Sequence, residues 1–138
     1  MARGKYPLEA LRTVRDNAEK EATGELAGAV RARETAEARA VAAEAERRRA
    51  EDAAEAERAA ERSKLHAGEL RVEDLRQADA WQVEVDRQRR AHEARVAQAE
   101  VARDEAATVE DARRAELARK SAERAVVDKD KERWEAKR

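Results

Sequence analysis

The chain has 138 residues, room for one ordinary domain, but 46% of them are charged and only 2% aromatic, with no Phe, one Met and one Pro. Most of its apolar residues are alanines, and burying even a full-sized apolar side chain gains only about 1.5–3 kcal/mol, so a thick globular core is excluded. A formal net charge of -1 with both signs interspersed excludes the concentrated basic surface that nucleic acid requires, and the absence of Cys excludes a disulfide framework and thiolate chemistry.

Ala, Glu and Arg dominate, and all three are strong helix formers. Disorder would bring more Pro, Gly and Ser. The composition therefore reads as long helices joined by a thin seam. The stretch from Met1 to Leu11 has no apolar core of signal-peptide length, and no segment approaches the ~18–20 apolar residues of a membrane span. A cytoplasmic location without direct membrane insertion is expected.

Pro7, the single proline, suits the first turn of a helix, where its missing N–H costs nothing. From Leu11 the apolar positions step by three or four through Val14, Ala18, Ala22, Leu26, Ala29, Ala32, Ala36, Ala40 and Ala43. The mean step of about 3.6 predicts one continuous helical stripe. Glu44 precedes Arg48 by four residues, as Glu110 does Arg114 and Glu116 does Lys120, the favourable order for surface pairs. Gly24 and Gly28 spell GxxxG, but in charged surroundings. The motif reads as a soft spot or a place of close helix approach, not as a lipid-facing dimer seam.

The pattern falters at Ser63-Lys64-Leu65-His66-Ala67-Gly68, which holds the only glycine after Gly28. Glycine often sits just past a helix C-terminus, where positive φ is needed. Leu65, Leu70, Val72 and Leu75 cluster around it. A second stripe then runs through Leu75, Ala78, Val85, Val96, Ala99, Ala106, Val109, Leu117, Val127 and Trp134, interrupted by Arg89 and Arg113.

The two arms are nearly equal, at roughly 60–65 residues each, and folded back they make a hairpin about 90–100 Å long. The expected fold is all-α: a long antiparallel two-helix coiled-coil hairpin with arm 1 over about 7–65, a turn over about 66–71 and arm 2 over about 72–138. The competing arrangement is one unbroken helix paired with other chains, since a single Gly costs only about 1 kcal/mol inside a helix. A charge-stabilised single helix is a third.

His66 and His92 share no metal-ligand spacing, and no Cys accompanies them. Carboxylates are abundant, yet a thin rod supplies no cleft to shift their pKa values. No catalytic, cofactor or metal site is expected. The runs Arg47-Arg48-Arg49 and Arg87-Gln88-Arg89-Arg90 are flanked by acids and read as solvated helix faces. Trp81 stands four residues before Val85, on one helix face near the turn. An indole in so aromatic-poor a chain is either an anchor for a partner or a lid packed over Leu65 and Leu70 to close the turn. Tyr6 and Trp134 sit at the opposite end, placed to staple the termini together.

The opening Tyr6-Pro7-Leu8-Glu9-Ala10-Leu11-Arg12-Thr13-Val14-Arg15, followed by Glu19, Glu21, Ala22, Glu25, Leu26 and Ala27, resembles the start of the FliJ/YscO family. So do Glu69-Leu70-Arg71 through Leu75 to Ala80-Trp81 and Val85, and the ending from Glu123-Arg124 through Val127 and Asp128-Lys129 to Lys131-Glu132-Arg133-Trp134. The resemblance spans essentially the whole chain, on degenerate motifs.

The resemblance implies a non-catalytic central stalk of a flagellar or injectisome type III export apparatus, peripheral to the inner membrane and monomeric. Its terminal end would enter the hexameric export ATPase, and its tip would reach the cytoplasmic domain of the export gate, with export chaperones as further partners. By position, Trp81 and Val85 match the aromatic and aliphatic pair that meets the gate, where the family usually has Phe or Tyr and often Leu. Leu11, Val14, Val127 and Trp134 fall at the ATPase-facing end. A structural scaffold or peripheral stator subunit, built as a parallel coiled-coil oligomer, is the rival expectation.

Overall fold

A computed structural model describes residues 4–69 and 71–137. Two helices, α1 (Glu9–His66) and α2 (Val72–Ala136), pack against each other in the manner of a helical hairpin, and no strand occurs among the described residues. Leu70, within the expected turn, and Arg138, at the end of the expected second arm, lie outside the described residues.

Local chemistry sets each helix end. Pro7 and Leu8 form a turn ahead of α1, where the Glu9 amide donates to the Tyr6 carbonyl at 3.1 Å. The proline thus leads into the helix and does not open it. Glu9 supplies negative charge where the helix dipole is positive, and Lys64 and His66 supply basic groups at the other end. Past His66, the Glu69 amide donates to the Lys64 carbonyl at 2.9 Å and the Gly68 amide to the Leu65 carbonyl at 3.1 Å. This is a Schellman closure, and Gly68 meets its left-handed requirement with φ of 71°. The start of α2 is capped from within, the Asp74 carboxylate accepting from the Arg71 amide at 2.9 Å.

By their contacts the residues divide into two compact units, one combining Met1–Glu34 with Asp104–Arg138 and the other spanning Thr35–Arg103. In the first unit the facing side of α1 carries Ala22, Leu26, Ala29 and Arg33, all buried or half-buried. The facing side of α2 carries Ala106, Glu110, Leu117, Lys120, Arg124, Val127, Lys131 and Trp134. Partners descend α2 as they ascend α1: Arg12 with Asp128 at 3.0 Å, Glu19 with Arg124 at 2.6 Å, Glu25 with Arg113 at 3.4 Å, then Arg33 with Glu110.

In the second unit the inner positions are Ala36, Ala40, Ala43, Arg47, Ala50, Ala54, Arg58 and Glu61 on α1. Opposite them on α2 lie Ala78, Gln82, Val85, Arg89, His92, Val96, Ala99 and Arg103. Arg89 bridges to Glu51 at 3.0 Å. Apart from a double step of four through Ala50, Ala54 and Arg58 and a gap at the exposed Arg113, the inner positions alternate steps of three and four, so burial recurs about every seven residues.

The repeat of seven corrects the expected stripes. Val14 is 63% exposed and Val109 48% exposed, whereas Glu110 is only 5% exposed. Ala32 is exposed, and its neighbour Arg33 holds the inner position. Arg89, taken as an interruption, lays its stem along the seam and carries its head to Glu51.

The glycines give opposite expectations. A β-carbon on Gly24 would meet nothing within 4 Å, and on Gly28 only an Arg31 guanidinium nitrogen at 4.0 Å. Of the two readings of GxxxG, this leaves the soft spot. Gly24→Ala and Gly28→Ala should each stabilise by about 0.5–1 kcal/mol, through better helix propensity and a less flexible unfolded chain. Gly68→Ala should destabilise by about 1–2 kcal/mol, because the left-handed backbone crowds a β-carbon whatever the surrounding space. Urea unfolding of the three variants reads both signs.

Candidate functional site

The turn-proximal part of the second unit concentrates large apolar side chains on an otherwise alanine-lined pair. Trp81 and Val85, one helical turn apart on α2, are both half-buried. They line a groove of about 450 Å³ whose α1 side is formed by Ala50, Ala53 and Ala54. Arg47, Glu51, Arg89 and His92 edge it. Arg89 donates two hydrogen bonds to Glu51, at 3.0 and 3.2 Å, and these hold the Glu51 carboxyl below its ordinary range.

Trp81 also borders a second groove of about 580 Å³, with Leu65, Leu75 and Ala78. Leu65 is 58% and Leu75 49% exposed, so the indole does not seal the turn with them. Leu70, the other residue expected under the indole, is outside the described residues. Trp81 therefore borders two open grooves, one walled by the alanines of α1 and the other by Leu65 and Leu75. Leu75 was read as part of the seam, and Leu65 only as a member of the turn cluster. Their place on this groove follows from helix phase.

At the terminal end, Tyr6 packs its ring on Trp134 with centroids 5.5 Å apart and planes tilted by 56°. Its hydroxyl donates to the Asp130 carboxylate. Burial first, then that hydrogen bond and the negative charges of Asp130, Glu9 and Asp128, push the phenol up to about 12. A phenol raised in the folded state contributes stability that is complete below its ordinary value of 10 and lost as pH rises through about 12. Ultraviolet titration of this single tyrosine should therefore show a midpoint near 12, and Trp134→Ala should move it back towards 10.

The four residues expected at the ATPase-facing end divide between two environments. Val127 is 3% exposed and Trp134 half-buried, both facing α1, while Leu11 is 37% and Val14 63% exposed. With Leu8, 44% exposed just before α1, Leu11 and Val14 make the outward apolar row. The row continues by steps of three, a signal present in the sequence once Val14 is taken off the seam.

Among the described residues, no group of three or more His, Cys, Asp or Glu is placed to hold a metal ion. No helix among them is long and apolar enough to cross a membrane. His66 is exposed, and His92 sits half-buried beside Arg95. In comparisons with protein-family models, with curated proteins and with solved structures, nothing matches the chain.

Proposed function

We propose that the chain is a non-catalytic binding hairpin, an antiparallel two-helix coiled coil, serving as the central stalk of a type III export apparatus in the cytoplasm. In this reading the terminal end addresses the hexameric export ATPase through Leu8, Leu11 and Val14, with Val127 and Trp134 holding that end together. The turn end addresses the cytoplasmic domain of the export gate through Trp81 and Val85. The observation that carries it is the placement of Trp81 and Val85 on one open groove near the turn, in a chain with only 2% aromatic residues. The likeness of the opening, middle and ending segments to the FliJ/YscO family gives that groove its partner. The seven-residue repeat of burial, with partners descending α2 as they ascend α1, supports the coiled coil.

The test is reconstitution with the export ATPase and gate domain from the same source. Sedimentation should give the mass of one chain, and the chain should stimulate ATP hydrolysis. Leu11→Asp/Val14→Asp should abolish the stimulation and leave gate capture intact, while Trp81→Ala should do the reverse. Binding to neither partner defeats the reading, and the mass of a dimer moves the chain to the structural-scaffold class.

A further inference from the structure

The second groove beside Trp81 carries a preference for charge. Its apolar floor is Leu65, Leu75, Ala78 and Trp81. Its rim holds Glu57, Glu61 and Glu69, none of which has an ion-pair partner among the described residues. Two rim cations are already engaged: Arg58 with Glu51 at 3.4 Å and Glu55 at 3.5 Å, and Arg62 with Glu55 at 2.9 Å. Asp74 is committed to the Arg71 amide. Among the described residues that leaves Lys64 as the one rim cation without an ion pair, against three uncommitted carboxylates.

Several acids elsewhere find a cation on the opposite helix, as Glu19 finds Arg124, Glu51 finds Arg89 and Glu9 finds Lys131. At this groove the surplus is negative and the floor apolar. A cleft between two packed helices is also the shape that a third helix fills, with apolar side chains at i, i+3, i+4 and i+7 laid along it.

We propose that this groove takes a basic amphipathic helix from a partner protein. The leucine or valine row of that helix seats on Leu65, Leu75 and Trp81, and its flanking lysines or arginines reach Glu57, Glu61 and Glu69. The same three carboxylates repel an acidic helix, which would find only Lys64 to meet it. The inference deepens the proposed role of the turn end and rests on that end being a binding surface. It assigns the partner segment's chemistry, which the gate assignment does not.

The experiment uses the full chain carrying Trp134→Phe, so that Trp81 is the sole indole. Two synthetic 18-residue helical peptides share one leucine face, one bearing lysines on its flanks and the other glutamates. The lysine peptide should bind saturably and shift Trp81 emission, with affinity falling as salt rises. The glutamate peptide should not bind. Glu57→Gln/Glu61→Gln/Glu69→Gln should weaken the lysine peptide about ten-fold and flatten its salt dependence. Among the described residues these carboxylates hold no ion pair, so the variant should keep the wild-type helical dichroism.

Equal binding of both peptides, or an unchanged affinity in the triple variant, overturns the proposal. So does the absence of any saturable shift, or undiminished binding to Trp81→Ala measured by anisotropy of a labelled peptide. No export component is present in the assay. Loss of ATPase stimulation with intact peptide binding would defeat the stalk reading alone, and the reverse would defeat the groove alone.

Discussion

Truncating Val127 to alanine lowers the stability of the chain by about 1–2 kcal/mol, while the same change at Val126 leaves it within about 0.5 kcal/mol. The two residues are chain neighbours of identical chemistry, but Val127 is 3% exposed and Val126 64% exposed. Removing two buried methyl groups forfeits about 1.6 kcal/mol of transfer free energy and leaves a small cavity. Alanine's better helix propensity returns a few tenths at both sites. Among the described residues Val127 is the largest buried aliphatic side chain, the others being alanines, so no comparable residue among them stands ready to fill the gap. Urea midpoints of the two variants, followed at 222 nm, provide the measurement. A loss at Val126 as large as at Val127 would mean that the seam runs one residue away from where the structure has it.

That pairing also shows what the sequence makes legible and what it hides. Helix content follows directly from Ala, Glu and Arg, and the reversal is marked by Gly68, the one glycine whose backbone needs a positive φ. Val127 stands out because it is apolar. The rest of the seam is harder, because it does not coincide with the apolar residues that recur at a mean step near 3.6. The buried positions recur every seven residues and are held in part by Arg33, Arg47, Arg89, Glu110 and Arg124. Long charged side chains cover apolar surface with their stems and leave their heads to pair, so polarity alone misplaces them. For that reason the apolar pattern points to Val109 where Glu110 is buried, and to Val14 where Arg15 is half-buried.

The candidate surfaces were legible to a similar degree. Trp81 and Val85 announce themselves by rarity and spacing, and the Tyr6–Trp134 contact by the scarcity of other rings. The rim of free carboxylates near the turn was not legible. Among 32 acidic residues, Glu57, Glu61 and Glu69 are set apart by sharing one apolar groove, a placement that follows from how the helices pack.

The second large effect is expected at Glu110. This carboxylate is 5% exposed and accepts hydrogen bonds from Arg33 and, at 2.6 Å, from Arg114. Burial by itself raises its pKa, but the bonds from Arg114 and Arg33 outweigh that and hold it below the ordinary value of 4.5. A carboxyl lowered on folding contributes stability that is complete above its unfolded value and lost as pH falls through the folded one. The urea midpoint of the wild-type chain should therefore drop on acidification below pH 4.5 more steeply than that of Glu110→Gln. Glu19, held down by Arg124, and Glu51, held down by Arg89, keep some acid sensitivity in both proteins, so the difference between the curves isolates Glu110.

Arg33→Leu alone removes one of two partners from a buried charge and should destabilise more than any exposed ion-pair deletion, such as Glu73→Ala opposite Arg76. Arg33→Leu/Glu110→Leu should recover most of that loss or exceed the wild type, because both sites fall on the seven-residue repeat and a leucine pair fills them without desolvating charge. What the leucine pair gives up is a match that ties one turn of α1 to one turn of α2. In the wild-type chain a one-heptad slip strands Glu110 away from Arg33, a penalty added to those of rebuilding the turn at Gly68 and lifting Val127 off α1. The double variant should accordingly be as stable as the wild type but show heterogeneous amide NMR signals for residues 22–33. A single sharp set of signals in that variant would assign the register to the alanine spacing and leave the buried pair with an electrostatic role only.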